Sequence, residues 1–162
     1  MRPQRSYTIW FTQRTGSTLL CKSIESTGIA GNPREWFNCP PDLLEFFHQT
    51  NHADLQAYLW KLGTTPNGVF GINHSFYEPH FSQLTETLRK FPACPLEETR
   101  RTKIWENIFP NHRHIFMTRR NKIRLAVSWW RAIQSGEWHL STDEQRKSVD
   151  LSNAYSFDAI NH

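Results

Sequence analysis

The chain of 162 residues has few cysteines and no long apolar run. Its three cysteines, Cys21, Cys39 and Cys94, are far apart, and no histidine or cysteine lies at zinc-site spacing from them. No apolar segment approaches the length of a membrane span. A strand pattern begins within about six residues of Met1, which leaves no room for a signal peptide. These absences favour a cytoplasmic protein with reduced thiols, without a metal site and without a membrane span.

A basic run suited to nucleic acid is also missing, since lysines and arginines do not alternate regularly with aromatic residues. The net charge is nevertheless +4, with the basic residues gathered between residues 100 and 131. Charge alone would fit nucleic acid, a membrane surface or a phosphorylated cofactor. We expect one small, highly charged ligand and no nucleic-acid partner.

The chain does contain an apolar strand pattern, a small polar turn and a helical pattern in direct succession. The turn, Arg14-Thr15-Gly16-Ser17-Thr18, would aim backbone N–H groups and the positive end of a helix dipole at one point. Glycine permits close approach of a ligand, and the hydroxyls and the arginine add donors. The pattern predicts a phosphate or sulfate site, and an ordinary capped turn is the alternative. The lysine and first glycine of a nucleotide triphosphatase loop are absent.

Strand and helix patterns alternate along the whole chain, which is typical of a layered α/β fold with a parallel sheet. We expect a single domain over 1–162. In such sheets ligands bind at the carboxyl ends of strands, where Arg14, Asn73, His74, Arg119 and Arg120 would gather. The predicted strands are 7–12, 68–73 and 114–118, and the predicted helices are 17–27, 42–62 with a break near Asn51, 79–90 and 121–135, with a loop or short helix over 91–103.

The last of these helices carries a basic stripe. Arg120, Arg124, Ser128 and Arg131 fall within an arc of about 80°, and the opposite side is apolar. A largely buried helix with such a stripe predicts a second site for a compact anion, and a solvated basic face is the alternative. We expect the apolar residues to be buried and the adjacent tryptophans to join the core. These residues are Ile123, Ala126, Val127, Trp130 and Ile133, with Trp129 beside them.

Two anion sites on one rim suit a cofactor with charged groups at both ends of an adenosine. The absence of a Walker lysine and of an acidic strand end for magnesium argues against ATP hydrolysis.

Three stretches of the chain resemble the trehalose 2-sulfotransferase-like family of sulfotransferases, which use 3′-phosphoadenosine 5′-phosphosulfate (PAPS). They are Gln13–Cys21 continuing through Thr27–Phe37, Gly68–Ile72, and Arg119–Trp138. The resemblance implies a three-layer, P-loop-type parallel sheet flanked by helices. It also implies PAPS as sulfuryl donor, no metal, and a carbohydrate or glycolipid hydroxyl as acceptor.

The resemblance also implies roles for individual residues. The turn formed by Arg14, Thr15, Gly16, Ser17 and Thr18 would hold the 5′-phosphosulfate. Arg120 and Ser128 would hold the 3′-phosphate. Glu35 would be the general base, and Arg14 would stabilise the leaving group.

Other interpretations of these residues stay open. Glu35 would otherwise be a surface glutamate paired with Arg34, and Arg14 part of a salt bridge at the rim. His74 is a rival base or an acceptor-binding residue. Trp36 and Phe37 would either stack on a sugar or belong to the core.

The chain departs from the family in two respects. Asn73 stands where the family usually has a lysine, and family members are longer. We therefore expect the part that completes the acceptor pocket to be missing, and the chain to be a weak catalyst that self-associates, most simply as a homodimer. The alternatives to a sulfotransferase are a shortened relative that binds the nucleotide or another protein, and a kinase-like phosphotransferase.

Overall fold

The computed structural model describes residues 2–37, 51–78, 80–138 and 156–158. Three parallel strands form one sheet in the order β2-β1-β3, and the described residues also form five helices. The predicted α/β class with a parallel sheet is confirmed. The elements are β1 (Arg5–Phe11), α1 (Ser17–Ser26), α2 (His52–Gly63), β2 (Val69–Ser75), α3 (His80–Arg89), α4 (Arg101–Ile108), β3 (His112–Phe116) and α5 (Lys122–Ser135).

The chain divides into two compact units. The first unit consists of 1–12 and 16–117 and contains the whole sheet. The second unit consists of 13–15 and 118–162 and contains α5.

The sheet forms where β-branched and aromatic residues concentrate. The central strand β1 is almost continuously apolar and buried from Thr8 to Phe11, as expected for a parallel strand covered on both faces. One face carries Trp10, Phe70 and Ile72 into a core that α2, α3 and α4 complete. The opposite face carries Tyr7, whose pKa is raised by burial and, to a smaller extent, by the nearby Cys21 thiol of α1. Helix α1 is therefore close to the face opposite the main core.

Polar groups on the core face are paired within the sheet. The Ser6 hydroxyl donates to the carbonyl of Pro110 at 2.8 Å and contacts His112 Nδ1 at 2.9 Å. The Thr8 hydroxyl contacts His112 Nε2 at 2.9 Å, so both ring nitrogens are engaged. Burial, with the neighbouring His114, lowers the pKa of His112 to about 3. The ring is therefore neutral and joins β1 to β3.

Most element boundaries agree with the predicted ones to within two residues. Asn51 caps α2 by accepting hydrogen bonds from Ala53 N and Asp54 N, so a helix begins at the predicted break. The predicted helix over 42–50 and Cys39 lie outside the described residues. Gly136 ends α5 in a left-handed conformation, with φ of 67°. The predicted third strand lies two residues too late, since β3 spans His112–Phe116.

Helix α4 is the main element that the sequence patterns did not predict. They indicated only a loop or short helix over 91–103. It has only eight residues, yet Ile104, Trp105 and Ile108 are almost fully buried in the core. The preceding segment is held by Phe91 and Cys94, which are buried in the same core. A helix of two turns gives too short a periodic pattern to stand out beside prolines and charges.

The predicted burial of α5 is wrong. Ile123, Val127 and Ile133 are 77%, 47% and 52% exposed, and Ala132 is the buried residue of this helix. Trp129 and Trp130 are half-buried and lie outside the core cluster. The apolar side of α5 is thus largely exposed among the described residues.

Gly28 and Gly31 both have a positive φ but differ in their surroundings, so substituting them tests the packing against β2. Gly31 and Gly28 have φ of 81° and 67°, but a Cβ on Gly31 would lie 2.8 Å from Gly71 N, whereas one on Gly28 meets nothing within 4 Å. Gly28→Ala should cost about 1–2 kcal/mol through the left-handed backbone alone. Gly31→Ala should cost about 1–3 kcal/mol more, because main-chain neighbours cannot move aside. Denaturant unfolding of both variants measures the difference, and equal losses would contradict the close approach.

No helix among the described residues is long and apolar enough to cross a membrane.

Candidate functional site

The turn between β1 and α1 has an unusual backbone. Arg14 and Gly16 have φ of 64° and 94°, both in the left-handed region. Gly16 is the N-cap residue of α1, and no side chain caps the helix there. The first turn of α1 carries no acidic residue, and Ser17 is buried. The turn is therefore not an ordinary turn with a side-chain cap. A non-glycine residue with a left-handed backbone, such as Arg14, is typical of functional loops.

In the second unit, Arg14 contacts the helix predicted to carry the other anion site. Arg14 Nε donates to Ser128 Oγ at 3.1 Å, and its Nη1 donates to the carbonyl oxygen of Trp138. Arg119 Nη1 donates to the carbonyl oxygen of Arg14 at 3.4 Å and so braces the left-handed residue. The two predicted anion motifs are thus in direct contact through Arg14 and Ser128.

The second unit is electropositive around α5. Between residues 118 and 138 the chain has five basic residues and one acidic residue. Among the described residues, none of these basic residues, nor Arg14, forms an ion pair with a carboxylate. The α5 N-terminus adds the positive end of its dipole, and Asn121 caps it by accepting from Arg124 N at 2.8 Å. The basic residues are Arg119, Arg120, Lys122, Arg124 and Arg131, and the acidic residue is Glu137.

In the first unit, Glu35 lies close to helix α1. The residue before it, Arg34, pairs with Glu25 of α1. Burial and, next in size, the charge of Glu35 raise the pKa of the Cys21 thiol to about 12. The charge of Glu35 therefore acts on Cys21, the residue one turn along α1 from Ser17. The thiol stays protonated, as expected for a buried, unreactive cysteine.

A parallel bridge holds the segment before Glu35 against β2. Arg34 pairs with Ile72, and the carbonyl oxygen of Arg34 accepts from Asn73 N at 2.9 Å. Asn73 and His74 lie inside β2, not just after it as predicted. His74 is 5% exposed and packs against Trp10 at 5.8 Å between ring centroids, on the core face. Its neighbour Asn73 points to the opposite face, because side chains alternate along a strand.

Trp36 and Phe37 contribute to packing. Both are partly buried against the core cluster. Trp36 Nε1 donates to the carbonyl oxygen of Gly71 at 2.9 Å. The interpretation of both residues as core residues agrees with these contacts better than a sugar-stacking wall does.

Comparison with known proteins assigns the chain to a family. A family model described as Stf0 sulphotransferase matches residues 6–162. The chain belongs to the Stf0 sulphotransferase family. It is 28% identical over 184 residues to a trehalose 2-sulfotransferase of Mycolicibacterium smegmatis (strain ATCC 700084 / mc(2)155), covering 97% of this chain and 66% of that protein. It is 28% identical over 187 residues to a trehalose 2-sulfotransferase of Mycobacterium tuberculosis (strain ATCC 35801 / TMC 107 / Erdman), covering 99% and 68%. The chain thus spans about two thirds of the length of these relatives.

Within this Stf0 family member, the sequence patterns missed two contributors to the environment of Arg14. Arg119 supports the carbonyl oxygen of Arg14, and the main chain of Trp138 accepts from the Arg14 guanidinium. The pair of adjacent arginines, Arg119 and Arg120, could have indicated the contact of Arg119. The contact with Trp138 could not have been found, because a main-chain carbonyl oxygen is present at every residue. No group of three or more metal-ligating side chains occurs in the described part of the chain.

Proposed function

We propose that this chain is a sulfotransferase that moves a sulfuryl group from PAPS to a hydroxyl of a carbohydrate, trehalose-like or part of a glycolipid. The observation that carries the proposal is the hydrogen bond from Arg14 to Ser128, which joins the two predicted anion motifs. Membership of the Stf0 sulphotransferase family supports the reaction type. The names of the two relatives make trehalose the first acceptor to test.

The described residues suit a ligand with phosphate groups at both ends. Basic side chains without carboxylate partners favour an anion, and an uncapped helix start offers N–H donors. Arg14, Thr15, Gly16, Ser17 and Thr18 would hold the 5′-phosphosulfate. Arg120 and Ser128 would hold the 3′-phosphate. Bound PAPS would supply the activated sulfuryl group.

Each side chain has a defined task in this reaction. Sulfuryl transfer depends on alignment and on charge stabilisation more than on covalent help from the protein. Glu35 would take the proton of the acceptor hydroxyl as that oxygen bonds to sulfur. Arg14 would stabilise the negative charge that gathers on the departing phosphate oxygen. His74, buried among aromatic rings, is a weaker candidate for the base than Glu35.

A second candidate function is a module that binds the nucleotide or a second copy of the chain without efficient catalysis. The exposed apolar residues favour it, because such surface is usually covered by association. Ile115 and Phe116 of β3 are 42% and 67% exposed, and Ile123 of α5 is 77% exposed. A homodimer is the simplest assembly that would cover them.

A transfer assay separates these functions. The purified chain is incubated with sulfur-labelled PAPS and trehalose, glucose or a glycolipid, and the label in the sugar is measured. The sulfotransferase proposal expects labelled sugar that depends on both PAPS and acceptor. Nucleotide binding without labelled sugar would favour the binding module, and a dimer by light scattering would support its self-associating form. Consumption of ATP in place of PAPS would indicate a phosphotransferase.

A further inference from the structure

Asn73 carries a buried oxygen that the fold leaves without a hydrogen bond. The residue is 3% exposed, and its Oδ1 has no hydrogen-bond partner among the described residues. Buried polar atoms in proteins are almost always hydrogen-bonded, so an unpartnered amide oxygen needs an explanation. Its own backbone N–H does not serve this oxygen, because Asn73 N donates to the carbonyl oxygen of Arg34 at 2.9 Å.

The surroundings of Asn73 distinguish it from the other unpartnered buried atoms. Trp105 Nε1 lies in the centre of the core, and Trp60 Nε1 and Thr64 Oγ1 belong to α2 and the residue after it. Trp105 packs against His74 on the core face, at 6.4 Å between ring centroids, whereas Asn73 points to the opposite face. The segment that contains Glu35 adjoins Asn73, because Arg34 forms a parallel bridge with Ile72 and its carbonyl oxygen accepts from Asn73 N.

The side chains of Asn73 and Glu35 share one face of the sheet. Asn73 alternates with Ile72 and shares its face with Gly71, where an added Cβ would meet the Tyr7 hydroxyl at 2.7 Å. The segment that leads to Glu35 covers this same face, because the Tyr7 hydroxyl donates to the carbonyl oxygen of Ala30 at 2.7 Å and a Cβ on Gly71 would also meet Pro33 at 3.0 Å. The charge of Glu35, which raises the pKa of the Cys21 thiol of α1, agrees with that position. The buried oxygen therefore belongs to the neighbourhood of the proposed base.

The chemistry of the atom restricts what can bind it. An amide oxygen only accepts hydrogen bonds, so its partner must bring a donor hydrogen. A sulfate ester carries none at neutral pH, and a phosphate monoester, with a second pKa of about 6, carries one only in a minor fraction. Sugar hydroxyls carry one, and so do the ribose 2′-hydroxyl and the adenine amino group of the nucleotide. It is the acceptor that must bring a hydroxyl to the proposed base, so a position beside Glu35 points to the acceptor.

We infer that Asn73 Oδ1 binds the carbohydrate acceptor by accepting a hydrogen bond from a hydroxyl adjacent to the one that is sulfated. The sulfated hydroxyl gives its proton to Glu35 and cannot donate to Asn73 as well. Asn73 is thus an acceptor-binding residue that selects sugars with two neighbouring hydroxyls. This inference rests on the proposed sulfotransferase function.

The test measures trehalose binding by calorimetry to the chain saturated with adenosine 3′,5′-bisphosphate. Asn73→Leu removes the oxygen and keeps the branched shape and the number of side-chain heavy atoms. It should weaken trehalose binding roughly 5- to 150-fold, as expected for loss of a buried hydrogen bond. The affinity for the bisphosphate should stay the same. The melting temperature should stay the same or rise by about 2–4 °C, because the free chain no longer buries an unpaired oxygen.

A matched control uses an asparagine that has partners. Asn67 accepts from the Thr65 hydroxyl at 2.7 Å, so Asn67→Leu should lower the melting temperature and leave trehalose binding unchanged. Unaltered trehalose binding in Asn73→Leu, a fall in its melting temperature, or no trehalose binding by wild type would each overturn the inference. If wild type binds trehalose through Asn73 but no label moves from PAPS, the role of Asn73 in sugar binding stands, whereas the transferase function and the assignment of the neighbouring sulfated hydroxyl fail.

Discussion

Glu35→Gln is expected to lower the rate of sulfuryl transfer by about 10²- to 10⁴-fold while leaving nucleotide affinity nearly unchanged. The amide is nearly isosteric with the carboxylate but cannot take the proton of the acceptor hydroxyl. The effect should appear in the rate constant because the base acts only as the proton moves. Single-turnover transfer of labelled sulfuryl groups, with the protein in excess over PAPS, measures it.

Glu25→Gln is the matched control for Glu35. Both carboxylates raise the pKa of Cys21, so both lie near the same part of α1, but Glu25 pairs with Arg34. The control should keep the wild-type rate to within a small factor. Full activity in Glu35→Gln would refute the assignment and leave His74 or another group as the base.

Arg14→Ala is expected to slow transfer by about 10²- to 10³-fold, the range found when one donor facing a developing oxyanion is removed. The guanidinium would face the phosphate oxygen that gains charge, and it also organises the second unit through Ser128 and Trp138. Arg14→Lys should recover only part of the rate, because an ammonium keeps the charge but cannot reproduce the fork of donors.

Arg89→Ala controls for loss of a positive charge. Arg89 pairs with Glu86 on the surface of α3, in an exposed i,i+3 arrangement that contributes little to stability. The control should leave the transfer rate unchanged. A loss in Arg14→Ala no larger than in Arg89→Ala would exclude a role in the reaction.

Local patterns were sufficient to predict the elements that lead to the candidate site. The β1 strand, the polar turn and the start of α1 follow from an apolar run, a glycine and a helical period that are contiguous in the chain. The parallel sheet follows from the alternation of strands and helices. The left-handed conformation of Gly28 after α1 also follows from a local signal, because glycine is the preferred residue there.

Contacts between distant segments could not be predicted in this way. Arg14 and Ser128 are 114 residues apart, and no periodicity indicates that their side chains meet. The exposure of Ile123 and Val127 could not be predicted either, because a helical pattern shows which residues share a face but not what covers it. The order of strands and helices predicted both motifs at one rim of the sheet, and the structure adds the direct contact between Arg14 and Ser128.

The most direct test of the central claim, that both motifs hold one nucleotide, compares the binding of adenosine 3′,5′-bisphosphate and 5′-AMP by calorimetry. Wild type should prefer the bisphosphate by roughly 1.5–3 kcal/mol for each charge-assisted contact to the 3′-phosphate. Arg120→Ala should lose most of that preference and keep its affinity for 5′-AMP. Equal affinity of wild type for the two nucleotides, or an unchanged preference in Arg120→Ala, would contradict the account.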